Sequence, residues 1–567
     1  MKGRANGRKN RRESRSPAGN IAPVQIPRGE VLHEVVTGDM VHKLLLISGR
    51  PVHQWTVLTP DGEIPISGVS GRELLESSMK QIALMKEGGE GPLRYQTFPG
   101  FDESDPVTMD SAEFMIGVVR EGGGLRIRLS SEDDRYELIY PERPWRDPLP
   151  IYMISRLNSV GFKGCVKLLG MGYWSMESRE FPWLSLVRYP AGTRSGFSPF
   201  LSELGELLLS SMEKDGEAMR RFILDLSLRK DLGSLNVSRR LGRALGSLHG
   251  SLLMERSGSG KVRMSGPSAD ILRNFERARM GMEDVGTHLG MLSGYLEQVK
   301  KGLFRKLGDS EPPYIPPAGR KQKVVKGSRL ERYGELSGLS LLRSILVRRQ
   351  KEIRERFSVL RRFKGSPLVP AGVDSRLDHV EFTGDGDPLF RAFDWSFFDP
   401  DEKGPARTLP LKDLSLISSS LDKARYLSAR RLFTATAGEA VGRQLSLMFL
   451  DYNLAKGGHS AMMEDLNVVS RISRRDVPFR VIFLASVISS LWMDRNRNAL
   501  VQGYNEALSF TENEDLLMYP KGCDTIEGLR IMRALTSFSN AARTISERNG
   551  KVSIVGLESD LLSALSV

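Results

Sequence analysis

The stretch "LVPAGVDSRLDHVEFTGDGDPLFRAFDWSFFDP" (residues 368–400) decides how this chain is read. It carries two aspartates, Asp374 and Asp394, on either side of a short hairpin-like segment, with His379 between them. Asp394 lies among aromatics in "RAFDW", the pattern of a buried strand reaching its end. An acidic surface turn is the plain alternative. The spacing also suits phosphoryl transfer, which needs one carboxylate to take the proton of the acceptor hydroxyl and further ligands to hold Mg²⁺ against the phosphates. In that reading Asp374 is the catalytic aspartate, His379 a metal ligand five residues on, and Asp394 the second metal-binding aspartate.

At 567 residues the chain exceeds one core and predicts two to four domains of roughly 150 residues each. Its 40% hydrophobic and 27% charged composition is that of an ordinary globular protein. The most apolar run, "VIFLASVISSLW" (481–492), is too short to cross a membrane and reads as core. The basic start "MKGRANGRKNRRESRSPAGN" is followed by no apolar stretch, so no secretory signal is expected. Two cysteines, Cys165 and Cys523, are too few for a disulfide framework or a zinc cluster. A cytoplasmic location follows as the expectation.

Of the net charge of +13, residues 1–16 carry +6. That Gly-, Ser- and Asn-rich segment has no apolar periodicity, so residues 1–30 are expected to form a disordered basic tail with at most weak polyanion contact. The Arg-rich segment "LLRSILVRRQKEIRERFSVLRRF" (341–363) raises nucleic-acid binding. Interleaved Glu352 and Glu355, and the lack of an aromatic platform, favour a solvated helix with internal ion pairs. The seven histidines form no HxH or HxxxH pair, and "ERSGSGKV" (255–262) lacks the glycine and the Ser/Thr of a phosphate loop.

Apolar alternation predicts strands within 31–68, where "PDG" supplies a turn, and a helix over 72–86. Three short strands are expected in "FMIGVVREGGGLRIRLSSEDDRYELIYPERP", split by "EGGG" and "SSEDD". The glycines around Gly123 could cover phosphates with backbone amides, although a tight hairpin turn explains them as well. Beyond Leu149 helices dominate, with two strands in 165–192 and the hairpin at 368–400 as interruptions. Helices are expected at 236–255, 291–307, 341–363, 477–508 and 525–548, and a Pro/Lys-rich loop at 311–329.

These segments together resemble the maltokinase family, part of the wider aminoglycoside-phosphotransferase-like kinases. "GVDSRLDHVEF" lies over the family's catalytic loop, "FRAFDWSFF" over its metal-binding strand, and "LPLKDLSLISSSLDKARY" (409–426) over its Pro-Leu-Arg-Asp segment. "LGRALGSLH" (241–249) resembles the Leu-Gly-Arg…Leu-His helix, and "WMDRNRNALVQGYNEAL" (492–508) one of the last helices. The resemblance spans roughly residues 110–567.

It implies an α+β, two-lobed protein-kinase-like fold: a β-rich cap (31–105), a β-rich nucleotide-binding subdomain (106–195) and a mostly helical C-terminal lobe (196–567). It implies ATP and Mg²⁺, a sugar hydroxyl as acceptor, Asp374 as base, Asp394 as the principal metal ligand, and His379 where the family has Gln. The chain departs from the pattern in several places. Gly372 and Val373 replace His-Gly before the catalytic aspartate, and Ser396 and Phe398 replace two glutamates after Asp394. The strand lysine falls at about Leu138 and its partner glutamate at about Tyr152. Arg135 and Arg143 are the nearby cations able to take the lysine's place, with Gly123 in the turn. The alternative is a catalytically inactive kinase-like binding or regulatory protein.

Overall fold

The computed structural model describes residues 30–37, 40–47, 50–59, 62–65, 71–88, 93–98, 101, 115–121, 124–130, 135–141, 154–155, 157–176, 179–190, 192–253, 369–370, 375–391, 407–408, 410–456, 462–466 and 477–509. Gly123, Arg143, Tyr152, Asp374 and Asp394 lie outside these residues. So do residues 1–29, the 255–262 loop, the 311–329 loop, and the expected helices at 291–307, 341–363 and 525–548. Contacts divide the chain into two units, Met1–Pro148 with Leu168–Arg188, and Leu149–Lys167 with Tyr189–Val567.

Among the described residues the first unit holds two sheets and one long helix. Strands β1 (Glu30–Thr37), β2 (Met40–Ile47), β3 (Arg50–Thr59) and β4 (Gly62–Pro65) form an antiparallel meander, as the alternation at 31–68 predicts. Helix α1 (Gly71–Glu87) follows. Its Leu74, Leu75, Ile82 and Met85 recur at helical spacing and are buried, while Arg72 and Glu76 pair at 3.0 Å on the exposed side.

A six-stranded sheet has the order β5-β9-β10-β8-β7-β6. Its strands are β5 (Leu93–Thr97), β6 (Met115–Glu121), β7 (Gly124–Ser130), β8 (Arg135–Pro141), β9 (Lys167–Met176) and β10 (Arg179–Tyr189). The three expected strands of 115–141 are present as β6, β7 and β8. Glu121 pairs with Gly124, so the glycine run is a hairpin whose connection is residues 122 and 123.

Alternation sends Ile127 and Leu129 of β7, and Tyr136, Leu138 and Tyr140 of β8, into one core with α1, Leu169, Trp183 and Leu186. His42 of β2 closes on that core, its ring 4.3 Å from Trp183 and 6.2 Å from Tyr140. Burial, reinforced by neighbouring Tyr95, raises the Tyr140 phenol far above its ordinary range, so it stays protonated.

The second unit is built on five helices among the described residues: α2 (Ser198–Met212), α3 (Gly216–Leu228), α4 (Gly233–Leu253), α5 (Pro410–Lys456) and α6 (Val477–Ser509). The expected helices at 236–255 and 477–508 are α4 and α6. Inside α6 the run 481–493 is buried throughout, which makes it core as its composition predicts. Helix α5 is interrupted at Gly438 (φ 78°, ψ 168°), a backbone setting that glycine adopts without a Cβ penalty.

Helices α4 and α6 cross at very short range because glycines line the contact. A Cβ at Gly242 would meet the Leu500 carbonyl, and one at Gly503 the Arg239 carbonyl, both inside any real carbon–oxygen separation. Gly503→Ala must therefore push the helices apart, and thermal or urea unfolding should show a loss of about 1–3 kcal/mol.

Across the same seam, Ser238 Oγ donates to Asn496 Oδ1 (2.7 Å), and Glu506 takes both Arg239 and Arg243. Between α5 and α6 the buried Arg425 donates to Ser489, Ser490 and Asn453, with Asp422 3.9 Å away. Desolvation lowers its pKa to about 10, which leaves the guanidinium charged at neutral pH. A buried guanidinium so fully bonded fixes the register of the two helices.

Among the described residues no helix is long and apolar enough to cross a membrane.

Candidate functional site

Within 368–400, described residues 375–391 form a hairpin anchored on two sides. Strand β12 (Val369–Pro370) pairs antiparallel with β15 (Arg407–Thr408). A 3₁₀ turn over Leu377–His379 leads into β13 (Val380–Phe382), and β14 (Pro388–Phe390) returns beside it. The chain after β10 supplies a third strand, β11 (Arg194–Ser195), which pairs with β13. Gly196 N–H adds a bond to the Val380 carbonyl at 2.8 Å. On the other side Phe390 N–H donates to the Gly164 carbonyl (2.8 Å). Thr383 closes the tip by accepting Asp387 N–H on its hydroxyl (3.1 Å).

This register places His379. Arg391 N–H donates to the His379 carbonyl at 3.0 Å, so the residue that opens the hairpin lies beside the one that leaves it. Asp374 is the residue immediately before described Ser375, and Asp394 is three beyond Arg391. The described backbone thus sets His379 and Arg391 side by side at the open end of one hairpin. Arg391 is fixed by Glu381 (3.1 Å) and lies 5.8 Å from the Tyr189 ring.

The turn that follows Asp374 is held by the start of α5. Ser375 Oγ donates to the Asp413 carbonyl (2.7 Å), and Leu377 N–H donates to Ser420 Oγ (3.1 Å). Asp378 meets Lys423 at 2.8 Å, a pair exposed enough to count for little. Ser375 and Leu377 are fully buried, so their anchors carry the geometry.

Asp413 has a second task. Its carboxylate lies 3.0 Å from His249 Nε2, and His249 Nδ1 lies 2.9 Å from the Tyr504 hydroxyl. All three side chains are fully buried. Burial first, then the charge of Asp413, raises the Tyr504 phenol well above its ordinary value, so it keeps its proton. The satisfying arrangement has Tyr504 O–H donating to Nδ1 and Nε2–H donating to Asp413. This network ties α4, α5 and α6 together directly beneath the turn that Asp374 enters. Sequence reasoning did not single out His249, Asp413 or Tyr504 as a group: 164 and 255 residues separate His249 from its two partners. The one available signal was the resemblance of "LGRALGSLH" and "LPLKDL" to family segments.

Arg135, at the start of β8, belongs to the first unit. It stands 3.8 Å from Glu137, which also takes Arg126 and Arg128. Leu138, where the family lysine is expected, is fully buried in the apolar core, so its position faces away from these charges.

Cys165 is buried beside the hairpin, and desolvation pushes its thiol up to about 12, which makes it inert at neutral pH. A cleft of about 700 Å³ lies between α2 and α3, with Glu203, Lys214, Arg221 and Phe222 in its lining. Ser234 and Trp492 engage Glu203, Glu217 engages Arg221, and Lys214 covers the Phe222 ring, so it is a seam between helices. Among the described residues no group of three or more His, Cys, Asp or Glu forms a metal site.

No protein-family model matches the chain, and no curated protein sequence does. Among solved structures, the chain is similar to a glucosamine kinase in complex with glucosamine, ADP and inorganic phosphate. That match has a TM-score of 0.51 and 11% identity over 95% of this chain and 94% of that one. A second crystal form of a glucosamine kinase matches at a TM-score of 0.49 with 12% identity. The likeness to the first is one of fold: the chain has the mixed α+β, kinase-like fold expected from the sequence.

Proposed function

We propose that this protein is an ATP-dependent phosphotransferase acting on a sugar hydroxyl, with Asp374 as base. The observation that carries the reading is the buried anchoring of the turn after Asp374, which runs into a hairpin that returns toward Asp394. A reaction that depends on positioning and charge needs such a rigid mount for its carboxylates. Asp374 accepts the acceptor hydroxyl's proton as that oxygen bonds to the γ-phosphorus. The bond to the ADP oxygen breaks as the phosphoryl group passes to the sugar.

Asp394 and His379 are the residues that would hold Mg²⁺, which when bound offsets the charge on the phosphates. The His379 carbonyl bond to Arg391 N–H favours that pairing, since it draws residue 379 toward the strand that leads to 394. An imidazole is a softer donor than an amide oxygen, so weaker Mg²⁺ affinity and better Mn²⁺ support are the expected consequences. Arg135 and Arg143, with the turn at Gly123, contribute on the nucleotide side. The neighbour's bound glucosamine makes an amino sugar the first acceptor class to try, ahead of maltose. As working divisions we keep a basic tail at 1–30, a cap at 31–105, a nucleotide subdomain at 106–195 and a helical lobe at 196–567.

A second reading, a kinase-like protein that binds without catalysis, is favoured by one observation. The strand position of the phosphate-binding lysine is Leu138, sealed in the core. Thermal unfolding with and without Mg²⁺-ATP tests metal-nucleotide binding. At about 100 times its dissociation constant a ligand stabilises by about 2.7 kcal/mol. The expected result is a Mg²⁺-dependent rise in Tm that Asp394→Ala abolishes. No rise in the folded wild-type protein would overturn the phosphotransferase reading.

A further inference from the structure

We infer that Gly196 is a positioning residue for the turn that carries His379: its missing side chain lets β11 close on that turn and hold it against α5. This rests on the phosphotransferase reading, in which Asp374 precedes the turn and His379 ends it.

The contact is backbone against backbone. Arg194 lies opposite Phe382 and Ser195 opposite Glu381, and the same register continues into the Gly196 N–H bond to the Val380 carbonyl at 2.8 Å. A Cβ on residue 196 would lie 2.6 Å from the Leu377 carbonyl oxygen and 2.7 Å from that of Val380. Close carbon–oxygen contacts settle at about 3.3–3.6 Å, so any larger residue must displace backbone by roughly half an ångström or more. Gly196 does not have a positive φ, so the close approach, rather than an unusual backbone angle, calls for glycine. The two carbonyls bracket His379, one from the residue two before it and one from the residue after it.

The turn is held from its other side as well. Leu377, fully buried, donates its N–H to Ser420 Oγ of α5 at 3.1 Å, and Ser420 donates in turn to the Leu416 carbonyl at 3.0 Å. Phe197, the residue after Gly196, is buried, and its ring lies 5.3 Å from the Lys423 ammonium, which meets Asp378 of the turn at 2.8 Å. The turn is therefore wedged between β11 and α5, and a methyl group at residue 196 moves it together with His379. Phosphoryl transfer depends on placement. A misplacement of 1 Å can lower a rate by about 10²-fold, so half of that is expected to lower it by about tenfold.

The test compares Gly196→Ala with Gly442→Ala in the full chain. A Cβ at Gly442 would meet the Thr434 backbone at 2.7 Å, a similar clash inside α5, and Thr434 lies about 21 Å of helix beyond Ser420. Both variants should lower Tm. Kinetics at varied Mg²⁺ and the His379 imidazole signals in ¹⁵N NMR, assigned by their loss in His379→Asn, separate position from stability. The expected result is that Gly196→Ala shifts the His379 signals, lowers kcat about tenfold and raises the Mg²⁺ needed for half-maximal rate, while Gly442→Ala leaves all three unchanged. Wild-type signals and kinetics in folded Gly196→Ala overturn the inference, and so do equal changes in both variants. If the His379 signals shift but the wild-type protein shows no sugar-dependent turnover, Gly196 still positions the turn and the phosphotransferase reading falls. Turnover that Gly196→Ala leaves untouched gives the reverse. Should Gly196→Ala not fold, amide exchange of the wild-type protein decides. The Gly196 N–H is then expected to exchange at least about a hundredfold more slowly than in an unstructured peptide, and exchange at the unstructured rate overturns the inference.

Discussion

Replacing Asp374 with Asn is expected to leave the protein folded, hold KM for nucleotide near its wild-type value, and lower kcat by about 10²–10⁴. The amide has nearly the shape of the carboxylate but cannot accept the acceptor's proton. The turn that follows residue 374 is anchored by Ser375 on the Asp413 carbonyl and by Leu377 on Ser420, neither of which the substitution touches. A lower kcat at constant KM is the signature of a group that acts in the transition state rather than in binding. Steady-state kinetics of ADP release checks it. An unchanged kcat would assign the proton transfer to another residue.

The second large effect is structural. Asp413→Ala removes the acceptor of His249 Nε2–H at 3.0 Å and leaves that imidazole, still bonded to Tyr504 through Nδ1, without its fully buried carboxylate partner. Breaking a buried pair by removing one member costs about 3–5 kcal/mol, because the remaining polar group stays desolvated. Urea unfolding should therefore show a loss of at least about 3 kcal/mol. Activity should fall as well, since the turn next to Asp374 hangs from the Asp413 backbone through Ser375. Lys423→Ala, which breaks the exposed pair with Asp378 nearby, should cost less than about 1 kcal/mol. Equal losses in the two variants would contradict the claim that the buried network, not the surface pair, mounts the turn.

The contrast between these two sites also explains what the sequence could show. The hairpin was legible because its information is local: "DHVEF", a turn rich in Gly and Asp, then "PLF" write two short strands within a dozen residues. The same holds for α1 and α6, whose apolar spacing and run of buried residues carry their own period. The mount beneath the hairpin was not legible. Its three members come from α4, α5 and α6, and their meeting depends on how closely glycine-lined helices approach.

Helix α5 also escaped notice as an element, although its first turns carry the anchors. Ser415, Ser418, Ser419, Ser420 and Ser428 are buried alongside Leu414, Ile417, Leu421 and Phe433, so residues 413–422 are buried on every side and leave no one-sided apolar stripe to follow. Buried serines bond back to their own helix instead, as Ser420 Oγ does to the Leu416 carbonyl at 3.0 Å. The arginine face was half visible. The alternation in "LRIRLS" and "RYELIYP" separates charged from apolar positions, but only the register of β7 on β8 reveals that three arginines share one carboxylate.

The most direct test of the central claim is to follow ADP formation from Mg²⁺-ATP against a panel of sugars that includes glucosamine and maltose, with Asp374→Asn alongside. Sugar phosphate is identified by ³¹P NMR. The account predicts sugar-dependent ADP formation matched by an equal amount of phosphorylated sugar, reduced at least about a hundredfold in the variant. Nucleotide that binds in a Mg²⁺-dependent manner but yields no sugar phosphate across the panel would contradict it, and would identify a kinase-like protein that binds without catalysis.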